Sequence, residues 1–298
     1  MSSGQRGLSD PVNGSLSMSL TGLAGALKSA GGSLGEVLMP RTCPCCAVPV
    51  AYGAGSPLCE ACLPQLHSAL ARMEQVQVLQ PLSSGDCAAG GGAPEVRAAS
   101  RYEGIMPRAL LALKNAGRTD LLPLLGEGLA RSVYELLRAR RAEIQHGSSA
   151  PVEVLLVPAP SSAQSMRRRG YAPANLLVQE AVRQLNRRLP ASVRVHAAGV
   201  IDYVPRKQRG SGASIISDAL SGAQNEQKSL GAVGRAERMH GALRVMEPAL
   251  CAGRVSVICD DVVTTGATAS EMVRVLQESG SRVLGVCAVA AVPKKAQM

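Results

Sequence analysis

Near its C-terminal end the chain carries Val255-Ser-Val-Ile-Cys-Asp-Asp-Val-Val-Thr-Thr-Gly-Ala-Thr268, which dictates a strand, a tight loop and a helix in that order. The run Val255 to Ile258, rich in β-branched residues, reads as a strand buried in a parallel sheet. Ala269, Met272, Val273 and Leu276 then recur at i, i+3, i+4 and i+7, one face of a helix. Val283 to Val292 reads as the next strand. A strand, a helix and a second strand in this order imply an α/β fold, a mostly parallel sheet flanked by helices with its ligand at the carboxyl ends of the strands.

The loop of this unit has its own chemistry. Thr264, Thr265, Gly266, Ala267 and Thr268 fall where the strand ends and the helix begins, so free backbone N–H groups and the positive end of the helix dipole face a phosphate. The threonine hydroxyls add side-chain donors. Asp260 and Asp261 stand just before that cradle as acceptor-only groups, matched to the two donors of a vicinal ribose diol. A nucleoside-triphosphate loop of the Gly-Lys-Ser/Thr type is excluded, because that sequence is missing here.

A second pattern lies toward the other end. Cys43 and Cys46 are spaced C-x2-C, Cys59 and Cys62 repeat the spacing, and Gly53, Gly55, Ser56 and Pro57 supply turns between them. Four thiolates so spaced suit structural Zn2+, with a closed tetrahedral site and no open position for chemistry. Two disulfides, or four independent buried thiols, are the competing readings; a small segment with little aliphatic content needs a staple of some kind. Cys45 is left spare, and Cys87, Cys251, Cys259 and Cys287 read as core or incidental.

Nine cysteines without a signal-peptide pattern, and no uncharged apolar run near the ~18 residues that span a bilayer, lead to the expectation of a cytoplasmic protein with no membrane insertion. The chain contains no Phe and no Trp and only five Tyr, so Leu, Val, Ile, Met and Ala must fill the core. Base stacking on an aromatic platform is nearly closed to it. Lys and Arg total 32 against 22 Asp and Glu, a formal excess of ten that favours anionic partners. Contact with single-stranded DNA is accordingly expected to be weak, independent of sequence and steeply salt-dependent.

Along the chain, residues 1–34 read as a mobile Ser/Gly-rich tail, 35–80 as the zinc knuckle and a helix whose Leu63, Leu66, Leu70 and Met73 share a face, and 81–99 as a linker. The main domain follows over 100–293, and 294–298 form a tail. Within it Pro107 to Asn115 and Asp120 to Arg141 read as helices broken at Gly117, with Pro123 tolerated in a first turn, and Val152 to Val157 reads as a strand. Directly after that strand come Pro158, Ala159, Pro160 and Ser161, and then Arg167 and Arg169 in a cluster of three arginines. Backbone amides, hydroxyls and guanidiniums so arranged are suited to a pyrophosphate.

The acidic pair followed by two apolar residues and Thr-Thr-Gly-x-Thr resembles the signature of type I phosphoribosyltransferases for phosphoribosyl pyrophosphate (PRPP), and every position of it is filled. Tyr102-Glu-Gly104, Leu113-Lys114 with Gly117, Val157-Pro-Ala-Pro160, Arg169-Gly-Tyr171, Gln227 with Leu230, Arg235 and Gly241-Ala-Leu243 extend the likeness to the ComF family over about residues 34–292. Members commonly begin with a four-cysteine knuckle. The resemblance implies a type I phosphoribosyltransferase-like fold in which Asp260 and Asp261 serve catalysis. Thr264 to Thr268 would take the 5′-phosphate, the loop from Pro158 to Ser161 with Arg167 and Arg169 would take the pyrophosphate, and Mg2+ would accompany PRPP. It also implies a flexible loop over the ligand, for which Arg206, Lys207 and Arg209 are the candidates.

The chain departs from the family where Tyr171-Ala-Pro replaces a frequent Phe-Asn-Gln, where Arg238 replaces Asn and where Leu243 replaces Phe. Loss of the two amides removes contacts an acceptor would use. Three functions follow from the resemblance: transfer of phosphoribose to a nitrogen acceptor, a PRPP-sensing module without turnover, and a component of the DNA-uptake machinery of natural transformation.

Overall fold

The computed structural model describes residues 41–50, 55–76, 94–144, 151–205 and 239–292. A six-stranded sheet organises them, in the spatial order β1 (Glu74–Val76), β2 (Glu95–Arg101), β8 (Arg282–Ala291), β7 (Val255–Val263), β3 (Val152–Pro158) and β4 (Val193–Ala197). Only β1 runs antiparallel to its neighbour; the other five strands are parallel. The expected α/β class with a mostly parallel sheet is therefore present.

Helices cover both faces. On one lie α1 (Cys62–Ala71), α2 (Met106–Ala116), α3 (Leu122–Ala139) and α6 (Pro173–Leu185), which bury Leu66, Leu110, Leu125, Leu129, Leu136 and Leu177 against Val154, Leu156 and Val257 of the sheet. On the other, α8 (Ala267–Glu278), α7 (Pro248–Cys251) and a two-stranded antiparallel sheet, β5 (Ile201–Tyr203) with β6 (Leu243–Val245), enclose Met272, Leu276, Ile258, Val286 and Ile201. With no Phe or Trp, the largest wholly buried side chains are Leu, Met and Ile. Each contributes about 1.5–3 kcal/mol on leaving water, so the core is built from many modest terms.

Local chemistry explains the element ends. Gly117 takes a left-handed φ of 66° and its N–H returns to Ala112 O, which stops α2 at the break the sequence indicates. The helix expected from Asp120 to Arg141 is three pieces: a 3-10 turn over Thr119–Leu121, α3 with Pro123 in its first turn, and a short α4 (Arg141–Ile144) after a break at Arg140. The helix of the cysteine segment stops at Ala71, so Met73 lies beyond the stripe it was expected to complete. β2 begins at Glu95, inside the stretch expected to be linker, because Val96, Ala98 and Ala99 form a short buried run too plain to stand out. Residues 1–34, the flexible-loop candidates Arg206, Lys207 and Arg209, and 294–298 lie outside the described residues.

The cysteine segment is continuous with the main core. Cys43, Cys45, Leu58, Cys62, Leu66 and Leu70 share one buried cluster with Ile105, Met106, Ala109 and Leu110. Gly128 permits this approach, since a Cβ there would lie 2.6 Å from Leu70 Cδ2. Three arginines of the main domain donate to carbonyls of the segment: Arg118 to Thr42 O at 2.8 Å, Arg131 to Leu70 O at 2.9 Å and Arg108 to Cys45 O at 3.3 Å. No helix among the described residues is long and apolar enough to cross a membrane.

Candidate active site and cysteine cluster

β3 and β7 are adjacent, but the chain leaves them in opposite directions: β3 leads through α5 (Ala163–Arg169) and α6 to β4 on one side, and β7 leads through α8 to β8 on the other. Such a divergence opens a crevice at the carboxyl ends of the two strands. The register fixes what lines it. β3 pairs with β7 only as far as Pro158 opposite Cys259, with Ala159 N donating to Cys259 O at 2.8 Å, whereas β7 continues beside β8 to Val263 opposite Ala291. The strand is therefore longer than the run Val255 to Ile258 that the sequence marks, and from Asp260 onward its edge toward β3 is open.

Asp260 and Asp261 stand on that open edge, with the Pro158, Ala159, Pro160 and Ser161 turn beside them. Asp261 is buried, and the Lys114 ammonium meets its Oδ2 at 2.5 Å as an ion pair. Its Oδ1 accepts from Val262 N, while Asp260 Oδ1 accepts from Asp261 N, both at 2.8 Å. Burial, and then the charge of Asp261, push the Asp260 carboxyl well above the usual carboxylate range, with Lys114 opposing them. A group held this way favours folding while protonated. Its contribution is complete below the ordinary carboxylate value and is lost as pH rises through the shifted one. Asp260→Asn, which keeps the protonated shape, should therefore raise the melting temperature of the free protein at pH 8 and leave it unchanged at pH 4. A variant less stable at pH 8 would contradict this assignment of strain.

The loop after β7 leads into α8 through Gly266, whose left-handed φ of 80° turns the chain into the helix. No side chain caps α8, and its first turn contains no acidic residue. The leading N–H groups, which no helix can satisfy internally, are thus available beside Thr264, Thr265, Ala267 and Thr268. On the other wall, Ser162 caps α5 by accepting from Ser165 N at 3.2 Å, and Arg167, Arg168 and Arg169 fill its last turn. The exposed Arg168 and the half-buried Arg169 join Lys114, Asn115, Gly117 and Tyr171 around a cavity of about 360 Å3, whose walls do not include Arg167. The Tyr171 hydroxyl donates to Leu113 O and so ties the α5–α6 connection to α2.

Lys114 enters the sequence reading only as part of the Leu113-Lys114 likeness, and Arg168 only as the middle of the three-arginine cluster. Lys114 closes an amphipathic helix, where a cation is adequately explained by the helix dipole, and nothing local shows that it reaches a carboxylate far along the chain.

The four cysteines form a separate centre, in a segment packed against the start of α2. The Sγ atoms of Cys43, Cys46, Cys59 and Cys62 all lie within 4.8 Å of one another, and Cys46 and Cys59 approach to 3.5 Å. Tetrahedral Zn–S bonds of about 2.3 Å require edges of about 3.8 Å, so the set fits a metal ion with little rearrangement. Burial opposes ionisation of Cys43, but backbone N–H groups of Cys59, Cys45 and Cys46 outweigh it and bring the thiol down to about 6. Cys45, which is not one of the four converging thiols, is pushed up to about 11, by burial first and the Cys43 charge second. Ala47 turns the knuckle at a φ of 62°, and its N–H donates to Cys43 O at 2.8 Å. In comparisons with known proteins, no family model and no curated protein matches the chain.

Proposed function

We propose that the protein is a phosphoribosyltransferase of the ComF type that binds PRPP, or another 5′-phosphoribosyl compound, and transfers phosphoribose to a nitrogen acceptor. One observation carries this reading. The divergence of β3 and β7 brings the acidic pair and the uncapped helix start with its threonines to the same strand ends as the Pro/Ser turn, which α5 and its arginines follow in the chain. Ribose hydroxyls, a 5′-phosphate and a pyrophosphate need those three kinds of group in that proximity.

In this reading Asp260 and Asp261 accept from the two ribose hydroxyls, and Lys114 holds the Asp261 carboxylate in place. Thr264, Thr265, Gly266, Ala267 and Thr268 receive the 5′-phosphate through N–H and O–H donors. The backbone of Pro158 to Ser161 and the guanidinium of Arg167 receive the pyrophosphate, whose departure they favour by stabilising its charge. Mg2+ bound to the ligand's oxygens would neutralise part of that charge. Rate acceleration comes from positioning and charge stabilisation. Zn2+ on Cys43, Cys46, Cys59 and Cys62 has a structural role, since all four positions are taken by protein sulfur.

Calorimetric titration of the whole protein with PRPP and Mg2+, followed by a pyrophosphate-release assay across nitrogen acceptors, tests this reading. Saturable PRPP binding and acceptor-dependent release are the expected results. Absence of PRPP binding by folded, zinc-loaded protein overturns it.

A further inference from the structure

The cavity between the last turns of α2 and α5 holds more positive charge than its ion pairs use. Lys114 is committed to Asp261. Arg168 and Arg169 have no carboxylate partner among the described residues, and Nε of Arg169 is shut off from solvent without a hydrogen-bond partner. Several other arginines pair with carboxylates, Arg118 with Asp120, Arg183 with Glu180 and Arg274 with Glu271 and Glu278, while Nε of Arg244 is likewise shielded without a partner. The dipole of α5 accounts for cations in its last turn. It does not account for a cavity between them or for a shielded N–H left without an acceptor, which disfavours the folded state until one arrives.

We propose that this cavity receives the oxyanion of the acceptor, so that the nitrogen nucleophile is a small molecule bearing a carboxylate or phosphate rather than a neutral base. This rests on the phosphoribosyl-transfer reading and assigns the substrate class that reading leaves open. Lys114 joins the two places: it lines the cavity, and its Nζ touches the carboxylate assigned to the ribose hydroxyls, next to the carbon under attack. Guanidiniums recognise carboxylate and phosphate through paired N–H donors. The Tyr171 hydroxyl, having donated its proton to Leu113 O, is left as an acceptor for an N–H of the nucleophile. At about 360 Å3 the cavity lies toward the lower end of ligand sites, a size for one ring and its acid group.

In the transfer, the nitrogen lone pair forms the N–C1′ bond as the C1′–O bond to pyrophosphate breaks. The bonding pair leaves on the pyrophosphate oxygen, and any proton on the nitrogen passes to water. No oxidant or reductant takes part.

Matched probes test the charge requirement: nicotinate against nicotinamide, and 2-aminobenzoate against 2-aminobenzamide, titrated into the full-length zinc-loaded protein with and without PRPP and Mg2+. The acid of at least one pair should bind about tenfold or more tightly than its amide, as a charge-assisted guanidinium contact implies. Arg168→Ala should erase most of that preference without weakening the amide. Equal binding of acid and amide in both pairs, or no binding of either acid, overturns the proposal, and this comparison needs no variant to fold. PRPP titrated alone reports separately: a persistent preference for the acids without any PRPP binding would remove the transferase reading and leave the anion cavity standing.

Discussion

Replacing both Asp260 and Asp261 by Asn abolishes PRPP binding, with an expected loss of at least about 3 kcal/mol, or roughly 100-fold in affinity. In the proposed function each carboxylate offers a charged acceptor to a ribose hydroxyl, and hydrogen bonds to charged groups are worth about 1.5–3 kcal/mol apiece. The asparagines keep the shape and one acceptor oxygen each, so the backbone hydrogen bonds to Asp261 N and Val262 N can survive. Lys114 loses its partner, but at 32% side-chain exposure it can turn to water. The change should therefore be selective for ligand, leaving circular dichroism unaltered and raising thermal stability at pH 8 through position 260. Unchanged affinity in the folded double variant would remove the ribose assignment and the transferase reading with it.

Loss of zinc should reach farther than a small knuckle would suggest. Structural zinc in such sites contributes about 10–16 kcal/mol of apparent binding energy at neutral pH, and here the ligands sit in the same buried cluster as the start of α2. Chelation should release one zinc per chain, expose amides across 41–50 and 55–72 to rapid hydrogen exchange, and increase exchange in α2 through the lost Arg108 and Arg118 contacts. Because α2 carries Lys114, PRPP affinity should also fall, by about tenfold if the helix frays at that end. Hydrogen exchange that changes only within the knuckle, with PRPP affinity intact, would show that the segment is an independent module. Protein purified under reducing conditions without metal would contradict the zinc assignment outright.

The two centres were the most readable parts of the sequence because each is written in one short stretch. C-x2-C repeated across a turn-rich segment requires no knowledge of the rest of the fold, and the four thiols do converge. The strand, loop and helix around Asp260 to Thr268 also appear as read, although β7 extends past the acidic pair because β8 continues to pair with it. What the sequence concealed was long-range or compositionally plain. The Lys114–Asp261 pair joins distant segments, and α2 gives no local sign of its destination. β2 reads as linker because alanine and serine fill all its buried positions but Val96, and these residues carry little strand signal of their own. The fusion of the cysteine segment with the main core depends on Leu58, Leu66 and Gly128, ordinary residues whose meaning appears only when α1 and α3 are brought into contact.

The bond from the Tyr171 hydroxyl to Leu113 O has a practical value beyond packing. In a chain without tryptophan, tyrosine dominates the near-ultraviolet emission, and no indole quenches it by energy transfer. Tyr171 forms part of the wall of the cavity between α2 and α5. Phenol emission is quenched by proton sharing and by nearby charge, so an anion entering beside Arg168 and Arg169 alters the environment of a fluorophore already in place. The protein thus contains its own optical reporter, and a Tyr171→Phe variant supplies the blank for reading ligand occupancy without any attached dye.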